Sequence, residues 1–280
     1  MNEMVVTFGE DSHLVGTLTE PETPNEIGFL LLNAGVLHRV GPHRFNVKLA
    51  RFLSRKGHTV LRFDLSGQGD SLLPRQQRPY HQQAVVDILA AMDDVSARTG
   101  IRRFVIAGIC SGANNGLNAA LQDERVAGLV MIDGHAYPNW RTFVLYYAGR
   151  LFSRSPADVL RTAVSKLRRG AAEKRRLAQA TAQAADTPYA KREAYAQSMQ
   201  MLVDRGTRVF ILYTNSWSRQ YNHASQLSDV FGKWSFVKHV RCQFAREFDH
   251  TFTLLESQHT VADWIALWCA EFVTGPTAPA

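Results

Sequence analysis

No stretch of this chain has the apolar length, on the order of 18 residues, that a membrane-crossing helix needs, so no span is expected. Cysteine is scarce. Three residues in 280, far apart and odd in number, argue against a disulfide framework and for reduced thiols in a cytoplasmic setting. The opening MNEMVVTFGEDS has neither a basic stretch nor an apolar core behind it, so no secretory signal is expected. Internal repeats are missing, and low complexity is confined to an Ala/Gln/Arg-rich segment before residue 186. The net charge of +7 comes with no recognition motif for nucleic acid, so nucleic acid is not an expected partner. Nothing calls for a cofactor or a metal. What remains is 45% hydrophobic and 20% charged residues, the balance of a soluble globular protein with ample core. The length allows one α/β domain, or a core with a small inserted domain.

In chain order, residues 5–8 and 14–18 flank a Gly9-Glu10-Asp11-Ser12 turn and predict an opening antiparallel hairpin. Residues 27–32 form a continuous apolar run, as expected of a strand buried on both faces. A helical pattern over 43–56 closes at Gly57, and 59–63 predicts the next strand. A helix is expected over 82–98 and another strand over 126–132. Between 137 and 204 every segment reads as helical. The alternation then resumes with strands at 208–213 and 236–244 and helices at 225–231 and 256–272. Strands and helices alternating at this spacing predict a mostly parallel sheet flanked by helices.

The most informative stretch is 103–116, RFVIAGICSGANNG. It predicts a buried strand, a tight turn and a helix. A side chain displayed at such a turn sits in a strained backbone conformation, and a Cβ two positions either side would meet the crossing strand or helix. Only Cys110 has glycine at both places, Gly108 and Gly112. Ser111 is the competing nucleophile, but its flanks would be Ile109 and Ala113. The plainer alternative is that Cys110 is a small buried hydrophobe, the reading adopted for Cys242 and Cys269.

Strand, G-x-C-x-G turn and helix together resemble the nucleophile elbow of the α/β-hydrolase superfamily. The resemblance extends over nearly the whole chain. It implies an α/β-hydrolase fold with a helical cap inserted after the sixth strand: a core of 1–136 and 205–280, and a cap of 137–204. The family's order of nucleophile, acid and histidine places the histidine after the last strand, where His250 stands in Phe248-Asp249-His250-Thr251-Phe252. The oxyanion hole would use the N–H of Ser111 and one from the loop 33–38, for which Val36 is expected; Gly35 either permits close approach there or merely turns the chain. For the acid, the loop 214–219 (TNSWSR) has no carboxylate. Asp133, at the end of the preceding strand, is the alternative, and Asn215 could instead hold the imidazole as a neutral acceptor. Ser111 is expected to contribute only its backbone.

The segments LNAGVLHRVGPHR (32–44), LRFDLSGQGDS (61–71) and GICSGA (108–113) are similar to hydrolases associated with exosortase A systems in bacterial exopolysaccharide loci. The elbow cysteine is similar to that of dienelactone hydrolases and implies a thiol nucleophile. Three readings follow. One is a cysteine hydrolase or acyltransferase acting on an ester or thioester through acyl-Cys110, with His250 and Asp133 as partners. The second is a serine esterase using Ser111, and the third a binding protein on a hydrolase scaffold. In the expected cap, 140–152 is rich in aromatic and aliphatic residues suited to an acyl pocket. Arg150, Arg154, Arg161, Lys166, Arg168, Arg169, Lys174, Arg175 and Arg176 follow. They form either a solvated helix face or a docking surface for an acidic carrier such as coenzyme A or acyl carrier protein.

Overall fold

A computed structural model of the chain describes residues 1–76, 78–152 and 191–273. The apolar runs become strands whose alternate residues serve opposite faces. In β3 (Ile27–Leu32), Leu30 and Leu32 enter one buried cluster while Ile27, Phe29 and Leu31 enter the other. Both faces are covered, and so the run is continuously apolar rather than alternating. The same division holds in β5 (Arg103–Ile109), β6 (Val126–Ile132) and β7 (Arg208–Thr214). With β1 (Asn2–Phe8), β2 (Leu14–Glu20), β4 (Thr59–Phe63) and β8 (Val240–Ala245) they make one eight-stranded sheet, ordered β1-β2-β4-β3-β5-β6-β7-β8. Only β2 is antiparallel to its neighbours; every other pairing is parallel.

Helices cover the sheet on both sides. On one side lie α1 (Phe45–Arg55) and α7 (Leu255–Val273), which pack Leu49, Leu53, Ile265 and Trp268 on the β3 and β7 side chains. On the other lie α2 (Tyr80–Thr99), α3 (Ser111–Gln122) and α5 (Arg192–Asp204), which contribute Ile88, Met92, Leu117, Tyr195 and Met199. α2 stops at Gly100, whose left-handed φ of 77° lets its N–H close on the Ser96 carbonyl.

Within the span 137–204, α4 (Trp140–Phe152) leaves Trp140, Phe143, Val144 and Tyr147 exposed, whereas α5 buries Tyr195, Ala196, Met199 and Leu202 in the core. The expected cap falls largely on 153–190, outside the described residues. So do the basic residues 154–176; Arg150 alone of that group lies in a described element.

One strand differs from expectation. Residues 235–238 form a 3-10 turn, and β8 begins only at Val240. The cause is Phe236, which buries its ring against Phe231 and gives its N–H to the Gln200 side chain of α5 at 3.0 Å. That N–H is therefore unavailable to the sheet. The short α6 (Gln226–Phe231) precedes this turn.

The order of the strands places the site. From β3 the chain moves to β4 on one side and then to β5 on the other, so a crevice opens at the carboxyl ends of β3 and β5. Cys110, Asp133 and the loop after β3 all lie at carboxyl ends of strands.

Candidate active site

Between the end of β5 and the start of α3 there is a single residue, Cys110, at φ 56° and ψ −115°. A non-glycine residue held there is strained, by about 1–3 kcal/mol. The surroundings impose it: the Cys110 N–H bonds the Ile132 carbonyl of β6 at 2.8 Å, and its own carbonyl accepts the Ala113 N–H at 3.1 Å. A Cβ on Gly108 would fall onto the Gly112 backbone, and one on Gly112 would lie 2.5 Å from the Asn33 carbonyl oxygen. Both glycines are therefore required by contact with backbone, which cannot yield as a side-chain tip can. Gly112→Ala is expected to lower stability by about 1–3 kcal/mol through overpacking. It should also displace the elbow. A lower denaturation midpoint together with slower labelling of Cys110 checks it.

Asp133 directly follows β6 with φ 47°, anchored by its N–H to the Leu212 carbonyl at 2.8 Å. Its carboxylate is fully buried, and every approach to it is a donor. Oδ1 accepts the Thr214 N–H at 2.7 Å; Oδ2 accepts the Thr214 hydroxyl at 2.6 Å and His250 Nδ1 at 2.7 Å. The Cys110 side chain interacts with the same imidazole and, like Asp133, favours its protonated form. Asp133 and His250 are thus joined by a hydrogen bond, and Cys110 acts on the same imidazole. Asp133, rather than Asn215, takes the Nδ1 proton.

The loop carrying His250 is built by short-range chemistry. Asp249 folds back on it, its Oδ1 accepting the N–H and hydroxyl of Thr251 and its Oδ2 the Thr253 N–H; against burial, which raises it, these bonds hold the Asp249 carboxyl down at about 2. The His250 N–H donates to Ser216 Oγ at 2.8 Å. Thr214, Ser216 and Asp249 are contributors that the sequence reading misses. A D-x-T-x-T pattern does signal an Asx-type turn at Asp249. A hydroxyl that donates to a distant carboxylate leaves no such pattern.

The bond to Asp133, and after it the bond to Cys110, raise the His250 imidazole to about 10 against the opposing effect of burial. Folding therefore favours the imidazolium. Its contribution to stability is fully present below the ordinary histidine value of 6.5 and is lost as pH rises through about 10. In Asp133→Asn the His250 titration, followed by the NMR shift of its Hε1 proton, is expected to fall back toward the ordinary range.

The two expected oxyanion donors lie on different segments, Ser111 at the elbow and Val36 in the loop after β3. Ser111 is the first residue of α3, where helix N–H groups have no intrahelical partner. Among the described residues, neither its N–H nor that of Val36 donates to a protein acceptor. The Ser111 hydroxyl, by contrast, is in use: it accepts the Gly35 N–H at 2.6 Å. Behind this loop, Arg39 Nη1 lies 2.5 Å from Asp64 Oδ2 and 2.7 Å from Asp70 Oδ2, and donates to His38 Nε2 at 2.9 Å. His38, Asp64 and Asp70 have the spacing of metal ligands, but the cationic position among them belongs to the Arg39 guanidinium.

No curated protein matches the chain in sequence. Among solved structures it is similar to an α/β serine hydrolase without lid from Xanthomonas campestris, 14% identical with a TM-score of 0.59 over 99% of this chain and 98% of that one. A dienelactone hydrolase from Anabaena variabilis is 14% identical, with a TM-score of 0.59 over 96% and 97% of the two chains. An esterase from Pyrococcus furiosus is 12% identical, with a TM-score of 0.62 over 97% and 92%. At these identities the likeness is one of fold. The sequence model of the family described as "alpha/beta hydrolase fold", however, matches residues 29–232, from the first buried parallel strand to the end of α6, and by that match the chain belongs to the α/β-hydrolase fold family.

Proposed function

We propose that the chain is a hydrolase or acyltransferase with a cysteine nucleophile, acting on an ester or thioester through an acyl-Cys110 intermediate. One observation carries the reading. Cys110 occupies the strained turn between two glycines that no larger residue could replace, and its side chain acts on the His250 imidazole that Asp133 holds. The Ser111 hydroxyl is committed instead to the Gly35 N–H.

In this mechanism the Cys110 thiol gives its proton to His250 as Sγ attacks the carbonyl carbon, and the N–H groups of Val36 and Ser111 receive the oxygen as it becomes anionic. The S–C bond forms as the C–O or C–S bond of the substrate breaks, and His250 gives a proton to the leaving atom. Water or another acceptor then gives its proton to His250, attacks the acyl carbon and frees Sγ. Asp133 holds the imidazole with Nδ1–H toward itself throughout, so that Nε2 always faces the reacting atoms. The exposed aromatic and aliphatic side chains of α4 support an acyl group as the recognised part of the substrate. The arginines and lysines of 150–176 support coenzyme A or acyl carrier protein as its carrier, an argument from charge alone. The motifs shared with exosortase-associated hydrolases support a place in bacterial exopolysaccharide loci.

Incubation with p-nitrophenyl butyrate followed by peptide mass mapping is expected to place one butyryl group on Cys110. Butyryl on Ser111 would move the assignment to a serine esterase. Absence of both adduct and turnover would return the chain to a binding role on a hydrolase scaffold.

A further inference from the structure

The loop after β3 is held firmly at its base and lightly at its tip. At the base, Asn33 Nδ2 donates to the His38 carbonyl at 2.9 Å, Asn46 Nδ2 donates to Asn33 Oδ1 at 2.7 Å, and the Arg39 N–H bonds Asp64 Oδ1 at 2.5 Å. The tip, residues 34–36, makes a turn closed by the Leu37 N–H on the Ala34 carbonyl at 3.1 Å. Gly35 stands there at φ +53° with no heavy atom within 4 Å of where a Cβ would be, so packing does not fix its conformation. Val36 is 82% exposed. Among the described residues, one hydrogen bond ties this tip to the rest of the fold: Gly35 N–H to Ser111 Oγ.

We propose that Ser111 is a positioning residue for the oxyanion hole, its hydroxyl fixing the Gly35 peptide so that the next N–H, that of Val36, stays aligned with the N–H of Ser111 itself. The inference rests on the acyl-Cys110 reading and adds to it a role for a side chain that the sequence assigns only a backbone function. The physical basis is preorganisation. An oxyanion donor stabilises the transition state fully only if it need not be ordered when charge develops. A glycine-containing tip without the tether samples many backbone states, and each encounter would have to freeze it again. A serine at the first position of α3 meets the tip with a hydroxyl on a helix that is itself pinned by the crowded Gly108–Gly112 crossing. The two arms of the hole are thereby referenced to one rigid element.

Two reactions of Cys110 separate this role from others. Iodoacetamide alkylates Sγ by displacing iodide from a saturated carbon: an S–C bond forms, a C–I bond breaks, and no oxyanion develops. Acylation by p-nitrophenyl butyrate forms an S–C bond at a carbonyl, breaks the C–O bond to p-nitrophenolate, and passes through an oxyanion. Ser111→Ala is expected to leave the alkylation rate at the wild-type value. It should slow single-turnover acylation at saturating ester by about tenfold, less than the 10²–10³ lost with a donor itself, because the Val36 N–H remains present. The ester concentration at half-saturation should hardly move. Ser111→Thr, which keeps the hydroxyl, should restore the lost rate, and the Gly35 amide proton should move upfield in Ser111→Ala but not in Ser111→Thr. Acylation of Ser111→Ala at the wild-type rate would overturn the proposal. So would faster acylation, which would mean that the hydroxyl competes with substrate for the Gly35 N–H. A wild-type protein whose Cys110 alkylates normally but never acylates would overturn the thiol mechanism itself, a failure visible before any variant is made.

Discussion

Cys110→Ala is expected to abolish the acyl adduct and to lower turnover of p-nitrophenyl butyrate by about 10⁴ or more, the scale on which removal of a nucleophile acts. The argument is positional. The elbow displays one side chain only, at φ 56° between two glycines packed against backbone, and α3 begins with the very next residue. Ser111 cannot take its place without moving the strand-to-helix junction by one residue. That would bring Ile109 to the crowded position now held by Gly108. Cys110→Ser tests the point more finely. A hydroxyl ionises far less readily than a thiol, so the serine variant should retain the fold yet acylate much more slowly than the wild type. Steady-state kinetics with intact-mass analysis of both variants gives the measurement. Undiminished turnover in Cys110→Ala would remove Cys110 from the chemistry.

Asp133→Asn carries the second large effect. The buried carboxylate receives three donors: the Thr214 N–H on one oxygen, and the Thr214 hydroxyl and His250 Nδ1–H on the other. An asparagine in this place must offer its oxygen to the Thr214 N–H, which can only donate, and this turns its NH₂ toward the imidazole. Nδ1 then becomes an acceptor, and the neutral ring carries its proton on Nε2, facing Cys110. Such an imidazole cannot take a proton from that side. In a serine triad the corresponding change costs about 10⁴ in rate. Here about 10² is expected, because a thiol depends less on its base than a hydroxyl does. The pH profile should change with it. In the wild type the raised His250 titration keeps the proton on the ring until the pH approaches about 10, whereas in the variant that limb should appear at lower pH. An Asp133→Asn rate equal to wild type, with an unchanged His250 titration, would leave the imidazole and thiol working as a dyad.

Much of the fold is legible in the sequence because both faces of the sheet are covered. A strand such as 27–32 then has no reason to carry a polar residue, and its ends are marked by the loops it feeds. The elbow is legible for a related reason. Backbone meets backbone at 108 and 112, only glycine meets that demand, and so the residue between them is spelled out. Asp133 and His250 can be placed by where they fall relative to strands, which is a weaker signal but a local one. Contacts made between segments far apart in sequence are not legible. Nothing in TNSWSR indicates that Thr214 donates twice to Asp133 or that Ser216 holds the His250 backbone. Nor does GICSGA show that the Ser111 hydroxyl reaches a glycine 76 residues earlier. The shift of β8 to Val240 has the same origin, since Phe236 is drawn to α5 by a partner that its own sequence neighbourhood does not contain.

The bond between Asp133 and His250 closes a segment of 117 residues. By the logarithmic loop rule this costs about 4 kcal/mol of chain entropy if made in isolation, far more than one charge-assisted hydrogen bond returns. The pair cannot therefore start the folding of this chain. It forms only after β7 has docked on β6 and β8 on β7, when the ladder has already brought the two ends together. The acid and the base consequently act as a check on completion. A nascent or partly refolded molecule with its elbow in place and its helices formed still holds Cys110 beside an imidazole that is free to wander. Reactivity of the thiol toward acyl donors should accordingly be the last native property to return on refolding, later than secondary structure, and the first to disappear when the C-terminal strands loosen.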